Sequence, residues 1–317
     1  MGKNMKKVIT LVLISVLITA FLSGCGSTEK NNDTQQSTDT VSSTQAVSDV
    51  TENETVKETE TQKALKTQET IKWDESWEFA DFSIIHTDSV TKYYAQENRK
   101  DITVCVNAGH GTKGGSSKFT YCHPDKTPKV TGGSTQEGAV KATSVNEGTD
   151  LFAGVSEATA NLRLAKILKN ELLAEGYDVL MIREESDVQL DNIARTVLAN
   201  NNADCHISIH YDATENDKGL FYVGVPNVKS YRKMYPVCDT WEKTEALGQA
   251  IIKAEKESGV KIFSDGNMPL DYTQTSYSKV PSVDVEVGDR ASDISKKTHT
   301  QIAKGIVKGV DSYFQNR

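Results

Sequence analysis

From residue 101 onward, short apolar runs alternate with stretches whose apolar residues recur at helical spacing. That alternation predicts an α/β class, a single domain whose largely parallel, twisted sheet is flanked by crossover helices. Residues 102–107, 177–182, 205–210, 220–225 and 282–287 have the length and apolar content of buried strands. Leu190, Ile193, Ala194, Val197 and Leu198 fall at i, i+3, i+4, i+7 and i+8, a stripe on one helix face, and Leu247, Ala250, Ile251 and Ala254 repeat it. A helix opening near Glu157 has Ser156 as its N-cap and Leu162, Ala165, Leu168 and Leu172 on its inner face. It ends at Gly176, where a left-handed residue is wanted. The last helix carries Ile302, Ile306, Val310 and Phe314.

The first hundred residues follow another pattern. Lys3, Lys6 and Lys7 precede an apolar run over 8–22 that is short for a membrane span, so residues 1–24 read as a secretion signal. From 26 to 72 the chain is Ser, Thr, Gln, Glu, Asp and Lys without one aromatic residue. Such a stretch cannot bury enough apolar area to offset its chain entropy, and 25–72 is expected to be a disordered tether. Residues 73–100 hold Trp73, Trp77, Phe79, Phe82, Ile84, Ile85, Tyr93 and Tyr94 without clean periodicity, which suggests a segment packed onto the main domain at 101–317. Two long segments, 111–154 and 226–240, break the strand-helix rhythm, and long loops in a compact domain are usually functional or disordered.

Charge narrows the function. The formal net of −8 comes with no basic cluster, which excludes nucleic acid as a partner. Beyond Cys25 there are four cysteines, Cys105, Cys122, Cys205 and Cys238, and none has the paired spacing of a structural zinc site. Cys105 and Cys205 lie in apolar strands and read as buried thiols. Cys122 and Cys238 lie in irregular segments that could meet as a disulfide, which an exported protein permits.

The chemistry gathers at strand ends. The strand at 102–107 runs into Ala108, Gly109, His110 and Gly111, and that at 205–210 runs into His210. In an open parallel sheet ligands bind at that edge, so the two histidines could converge on one metal. A catalytic zinc takes three protein ligands, often two histidines and a carboxylate, and leaves a position open. Glu157 opens the helix after the first strand and is the candidate third ligand, although the helix dipole favours a glutamate there in any case. Glu137 and Glu147 are the alternatives. Along 282–287, Val283, Val285 and Val287 point to one side, Asp284 and Glu286 to the other. His206 shares the side of His210, but four residues of strand rise about 13 Å, too far for one metal. His86, His123 and His299 are expected at the surface.

Two resemblances sharpen this. Leu22, Ser23, Gly24 and Cys25 resemble a lipobox, which implies that Cys25 is the mature N-terminus and carries a lipid, anchoring the protein to the outer face of the cytoplasmic membrane. Further on come Val104 to Gly111, then Ser156 and Glu157 with Asn161 and Leu164, then Arg195, Ala199, Asn200, Ala203 and Asp204. Ile207 to Ala213 and Val285, Glu286, Val287 and Gly288 complete the series. In this order they resemble the zinc-dependent N-acetylmuramoyl-L-alanine amidases of the amidase-3 type. The resemblance implies one zinc per chain held by His110, Glu157 and His210, Glu286 as catalytic acid/base, and peptidoglycan as the partner and substrate. The chain departs from the family at Asn107, where an aspartate is usual, and in the longer path from His110 to Glu157. That added length reads as a lid, a specificity wall or a self-blocking segment. A zinc peptidase acting on the stem peptide, or a non-catalytic wall-binding lipoprotein, are the competing expectations.

Overall fold

Hydrophobic runs that read as strands do form the middle of an eight-stranded sheet. The computed structural model describes residues 66–315; the expected signal at 1–24, Cys25 and most of the tether lie outside the described residues. In chain order the elements are β1 (Gln68–Ile71), β2 (Val90–Tyr93), β3 (Thr103–Ala108), β4 (Phe119–Tyr121), β5 (Lys141–Thr143) and α1 (Glu157–Ala174). Then follow β6 (Asp178–Met181), α2 (Asn192–Asn202), β7 (Cys205–Asp212), β8 (Leu220–Gly224), α3 (Lys229–Lys233) and α4 (Val237–Glu257). The chain closes with β9 (Ile262–Pro269), α5 (Thr273–Tyr277), β10 (Ser282–Asp289) and α6 (Lys296–Gln315). The sheet order is β1-β2-β6-β3-β7-β10-β8-β9, and β6, β3, β7 and β10 run parallel in its centre. β4 and β5 form a separate hairpin inside the 111–154 segment.

Both faces of β3 and β6 are covered by apolar groups, which is why they read as apolar runs, whereas β7 and β10 alternate, with valines or isoleucines on one face and polar side chains on the other. Val104, Val106, Ile207, Ile209, Val283 and Val285 pack with Leu164, Leu168, Leu172, Ile251, Ile302 and Ile306 from α1, α4 and α6. Cys105, Leu180 and Ile182 face the other way, onto Ala194 and Leu198 of α2. The fold is therefore the expected α/β domain with a mostly parallel sheet flanked by helices. Helix α1 begins where the sequence places it: the Ser156 side chain accepts from the Thr159 amide at 3.4 Å. It stops before Gly176, whose φ of 97° suits glycine.

The edges depart from the sequence reading. β1 lies inside the stretch expected to be tether, where Gln68, Glu69 and Thr70 give no apolar signal; the strand pairs with β2 and only Ile71 packs inward, beside Trp73 and Trp77. Trp73, Trp77, Phe79 and Phe82 pack around Ile193, Val197 and Tyr277. The segment at 226–240 contains α3 and the start of α4. The bridge that the sequence left open between Cys122 and Cys238 is not formed: both are free thiols, Cys122 buried and Cys238 exposed at the first turn of α4.

One buried group in the helical layer works against the fold. Glu255 of α4 lies against Gly305 of α6, and neither of its oxygens makes a hydrogen bond of ordinary geometry. Burial raises its pKa to about 9, the Ile306 amide and Lys308 pulling the other way. The folded chain thus keeps a proton there that the unfolded chain has lost above about pH 4.5, so stability falls as pH rises through that window and levels off near pH 9. The slope is about 1.4 kcal/mol per pH unit at most. Glu255→Met, linear and apolar, is expected to unfold at a higher denaturant concentration than the wild type at pH 8, with the difference shrinking toward pH 5. An unchanged midpoint at pH 8 would show that the carboxyl is hydrated.

Candidate metal centre

The first histidine is presented by a strained turn that two buried arginines hold. After β3 the chain passes through Gly109, then His110 at φ 64° and Gly111 at φ 71°. A left-handed conformation at a histidine costs energy and persists only where neighbours over-determine it. Arg195 of α2 supplies that constraint: Nη2 donates to the His110 carbonyl at 2.7 Å and Nη1 to Asn107 Oδ1 at 3.0 Å and the Ala108 carbonyl at 3.2 Å. Arg183 donates from Nη2 to the Gly109 carbonyl at 3.0 Å. Burial lowers their pKa values, to about 9 for Arg195 and about 10 for Arg183, so both remain cations at neutral pH. Gly109 is required by proximity: a Cβ there would stand 2.2 Å from Cε1 of His210.

On this turn and the neighbouring elements, the structure brings His110, Glu157 and His210 together. Each offers one ligand atom and these lie within 4.8 Å of one another. His110 Nε2 is 2.7 Å from Glu157 Oε1, and His210 Nδ1 is 3.0 Å from both Glu157 Oε1 and His110 Nε2. The cluster is braced from behind. His110 Nδ1 is 2.9 Å from the Asn146 carbonyl, which sets that ring's tautomer so that Nε2 is free to bind. Glu157 accepts from the Thr149 amide at 3.0 Å and the Tyr211 amide at 3.1 Å.

Its electrostatics call for a cation. Burial opposes ionisation of Glu157, yet hydrogen bonds from His110 and His210 outweigh it and hold the carboxyl well below its ordinary range. Burial would lower the His210 pKa, but Asp284, Glu157 and Glu286 together raise it to about 10. Carboxylates on this side of the cluster therefore favour positive charge where the three ligand atoms meet. Two imidazoles and a carboxylate are also the donor set of a catalytic zinc site, so the residues present fit a divalent metal.

Asp284 and Glu286 project from β10 beside β7, Asp284 in register with Ser208 and Glu286 with His210. Both line a cavity of about 670 Å³ together with His110, Glu157 and His210. Burial raises the pKa of each, more strongly for Glu286, with the neighbouring carboxylate adding to the rise there and His210 opposing it in both. Glu286 Oε2 is buried without a hydrogen-bond partner. The 111–154 segment walls one side of the cavity through Lys129, Thr135, Thr143, Asn146 and Thr149, and Tyr272, Thr273 and Gln274 wall the other. Asp271 ties the two walls: it accepts from Lys129 and the Val130 amide, and from Thr131 Oγ1 at 3.2 Å.

The other sequence candidates stand outside the ligand cluster. Glu137 and Glu147 are exposed; Glu147 lines the cavity, where it accepts from Ser116 Oγ at 3.0 Å, but is not one of the three clustered ligands. His206 is buried, its pKa lowered to about 3 by burial and Arg195, and stays neutral outside the cluster. Two expected surface histidines are buried instead: His123 stands 3.3 Å from Asp271, and His299 is 2.8 Å from the Tyr211 hydroxyl. A lone histidine has no periodicity to reveal its side. His86 is half-buried and stacks on Trp73 at 4.8 Å. Sequence reasoning did not find Asn146, Thr149, Arg183 or Gln274; only the glycine-flanked turn around Gly148, whose added Cβ would meet Glu157 Oε2 at 2.6 Å, carries a trace of the site.

Comparison with known proteins agrees with this geometry. The family described as N-acetylmuramoyl-L-alanine amidase (Amidase_3) matches residues 104–312, more than half of the chain. Among solved structures, the N-acetylmuramyl-L-alanine amidase Ami1 of Mycobacterium smegmatis superposes with a TM-score of 0.55 at 17% identity, covering 70% of this chain and 100% of that one. The apo form of Ami1 from Mycobacterium abscessus does so with 0.51 at 18% identity, covering 68% and 99%. At these identities the likeness shows the fold. No curated protein matches the chain. The family match spans the parallel centre of the sheet, the His-Glu-His cluster and Glu286 but not β1 and β2, and the chain belongs to the Amidase_3 family of N-acetylmuramoyl-L-alanine amidases, an enzyme of that class.

Proposed function

We propose that this chain cleaves the bond between N-acetylmuramic acid and L-alanine in peptidoglycan with zinc held by His110, Glu157 and His210. The observation that carries the reading is the convergence of those three ligand atoms within 4.8 Å, with Glu286 in register beside His210. Bound there, zinc supplies Lewis acidity that makes water nucleophilic near neutral pH and stabilises negative charge on a carbonyl oxygen. Glu286 takes a proton from the attacking water and hands it to the departing nitrogen, so the C–N bond breaks as the new C–O bond is kept. Burial of Glu286 beside Asp284 makes its carboxyl more basic than an exposed glutamate, as a proton-accepting group requires. The walls at 111–154 and 272–274 exclude water from the reacting atoms and hold the stem peptide.

The Leu22 to Cys25 sequence supports a lipid anchor at Cys25 on the outer face of the cytoplasmic membrane, where the substrate lies. Metal analysis of the purified chain, paired with mass spectrometry of what it releases from peptidoglycan, tests the reading. About one zinc per chain and free stem peptides beginning with L-alanine are expected. Cleavage inside the stem peptide would replace the amidase reading with a peptidase, and a Cys25→Ser variant that stays with the membrane would remove the anchor.

A further inference from the structure

Two carboxylates line the cavity from β10, and the reaction described above uses only Glu286. Asp284 is 6% exposed, and its Oδ1 has no hydrogen-bond partner among the described residues. A carboxyl taken out of water is retained where a charged or hydrogen-bonding partner faces it. The group that faces it is His210, whose Nε2 stands 3.6 Å from Asp284 Oδ2. We propose that Asp284 is the positioning residue of His210: it accepts the Nε2 proton and so turns the Nδ1 lone pair toward the metal.

This rests on the metal reading above and deepens it. The cluster geometry decides which nitrogen does what. His210 Nδ1 lies 3.0 Å from Glu157 Oε1 and from His110 Nε2, so Nδ1 is the atom aimed at the ligand position. A neutral imidazole that gives one lone pair to a metal carries its proton on the other nitrogen, and that N–H needs an acceptor. Asp284 offers an acceptor oxygen on that side. His110 is treated in the matching way by the Asn146 carbonyl on its Nδ1, so each histidine has an acceptor behind it.

The backbone fixes the arrangement. In the parallel ladder of β10 and β7, Asp284 pairs with Ser208 and Glu286 with His210, so Asp284 sits two residues behind the ring's position and on the same sheet face. Gly109 packs against the Cε1 edge of the ring, leaving no room for even a Cβ. The 3.6 Å separation is an ion-pair distance; a hydrogen bond needs the ring and carboxyl to close by about 0.5 Å.

The test compares the full chain with Asp284→Leu and Asp284→Asn, using zinc alone in competition with a chromophoric chelator, and the visible spectrum after cobalt substitution. Removing an outer partner of this kind is expected to weaken zinc binding by about 10- to 100-fold in Asp284→Leu. Asp284→Asn keeps an acceptor oxygen, so it should recover most of the affinity and a wild-type cobalt spectrum, with KM unchanged in both. Asp284→Ala serves in place of the leucine variant if that one fails to fold. Zinc affinity within about twofold of wild type in the leucine or alanine variant overturns the proposal, and so does an equal loss in the asparagine variant. A rise in KM with zinc affinity intact would make Asp284 a substrate contact and overturn it too. A wild-type chain that binds no zinc would sink the metal reading itself, which separates the two failures.

Discussion

Glu286→Gln lowers kcat by about 10²- to 10⁴-fold while leaving one zinc per chain in place. The substitution keeps the side chain's shape and removes its ability to take and return a proton. It is the sharper choice over alanine because Glu286 is buried on β10, so the cavity remains filled and water does not enter to act as a substitute base. The residue is absent from the three-atom ligand cluster, so metal content should not change. KM should move little, since the loss concerns a proton carried only during reaction. Metal analysis and steady-state kinetics on the same preparation check both halves. A variant that keeps wild-type kcat would mean another group moves the proton, and one that loses zinc would place Glu286 among the ligands.

That experiment addresses the residue that the sequence located well. The alternation of Val283, Val285 and Val287 with Asp284 and Glu286 put two carboxylates on one side of a strand, and the structure finds the valines in the helix-covered core and the acids in the cavity. β3 and β6 were legible as runs with little polar interruption, and β7 and β10 by the alternation of aliphatic with polar residues. His110 and His210 were legible because strand ends in a parallel sheet share one edge, and Glu157 because the crossover helix must start there.

What stayed hidden has a common cause: it depends on pairing or on long-range packing that leaves no periodic mark. β1 and β9 are polar strands, Gln-Glu-Thr-Ile and Ile-Phe-Ser-Asp-Gly-Asn-Met-Pro, that exist because a neighbour satisfies their backbones at the sheet's edges. His123 and His299 are buried by contacts with Asp271 and Tyr211, which are 148 and 88 residues away in sequence. Apart from the Asn107 and Thr112 side chains, the two arginines that hold the His110 turn act through backbone carbonyls, which any residue at those positions would supply. Asp284 was placed on the right side of its strand, but the partner it faces depends on the register between β10 and β7.

Glu157→Gln is expected to abolish the rise in melting temperature that zinc gives the wild-type chain. A ligand that binds only the folded state stabilises it by RT ln(1 + [L]/Kd), about 4 kcal/mol at a thousandfold excess over Kd, so a lost ligand shows directly as a lost shift. The Thr149 amide donates to Oε2 and the Tyr211 amide to Oε1, so glutamine keeps an acceptor for one of the two and loses the other at roughly 1–3 kcal/mol, and the variant should fold. Alanine would leave both amides unpaired at roughly 1–3 kcal/mol each and confuse instability with metal loss. What glutamine removes is the negative charge between His110 and His210, which balances the metal. Without zinc the variant should also be less stable than the wild type, because the buried carboxylate that both imidazoles now face is gone. The melting temperature is measured with zinc and with a chelator for both chains. A full zinc-dependent rise in the variant would mean that two histidines suffice, and Glu157 would then be a support for His110 and His210 in place of a third ligand.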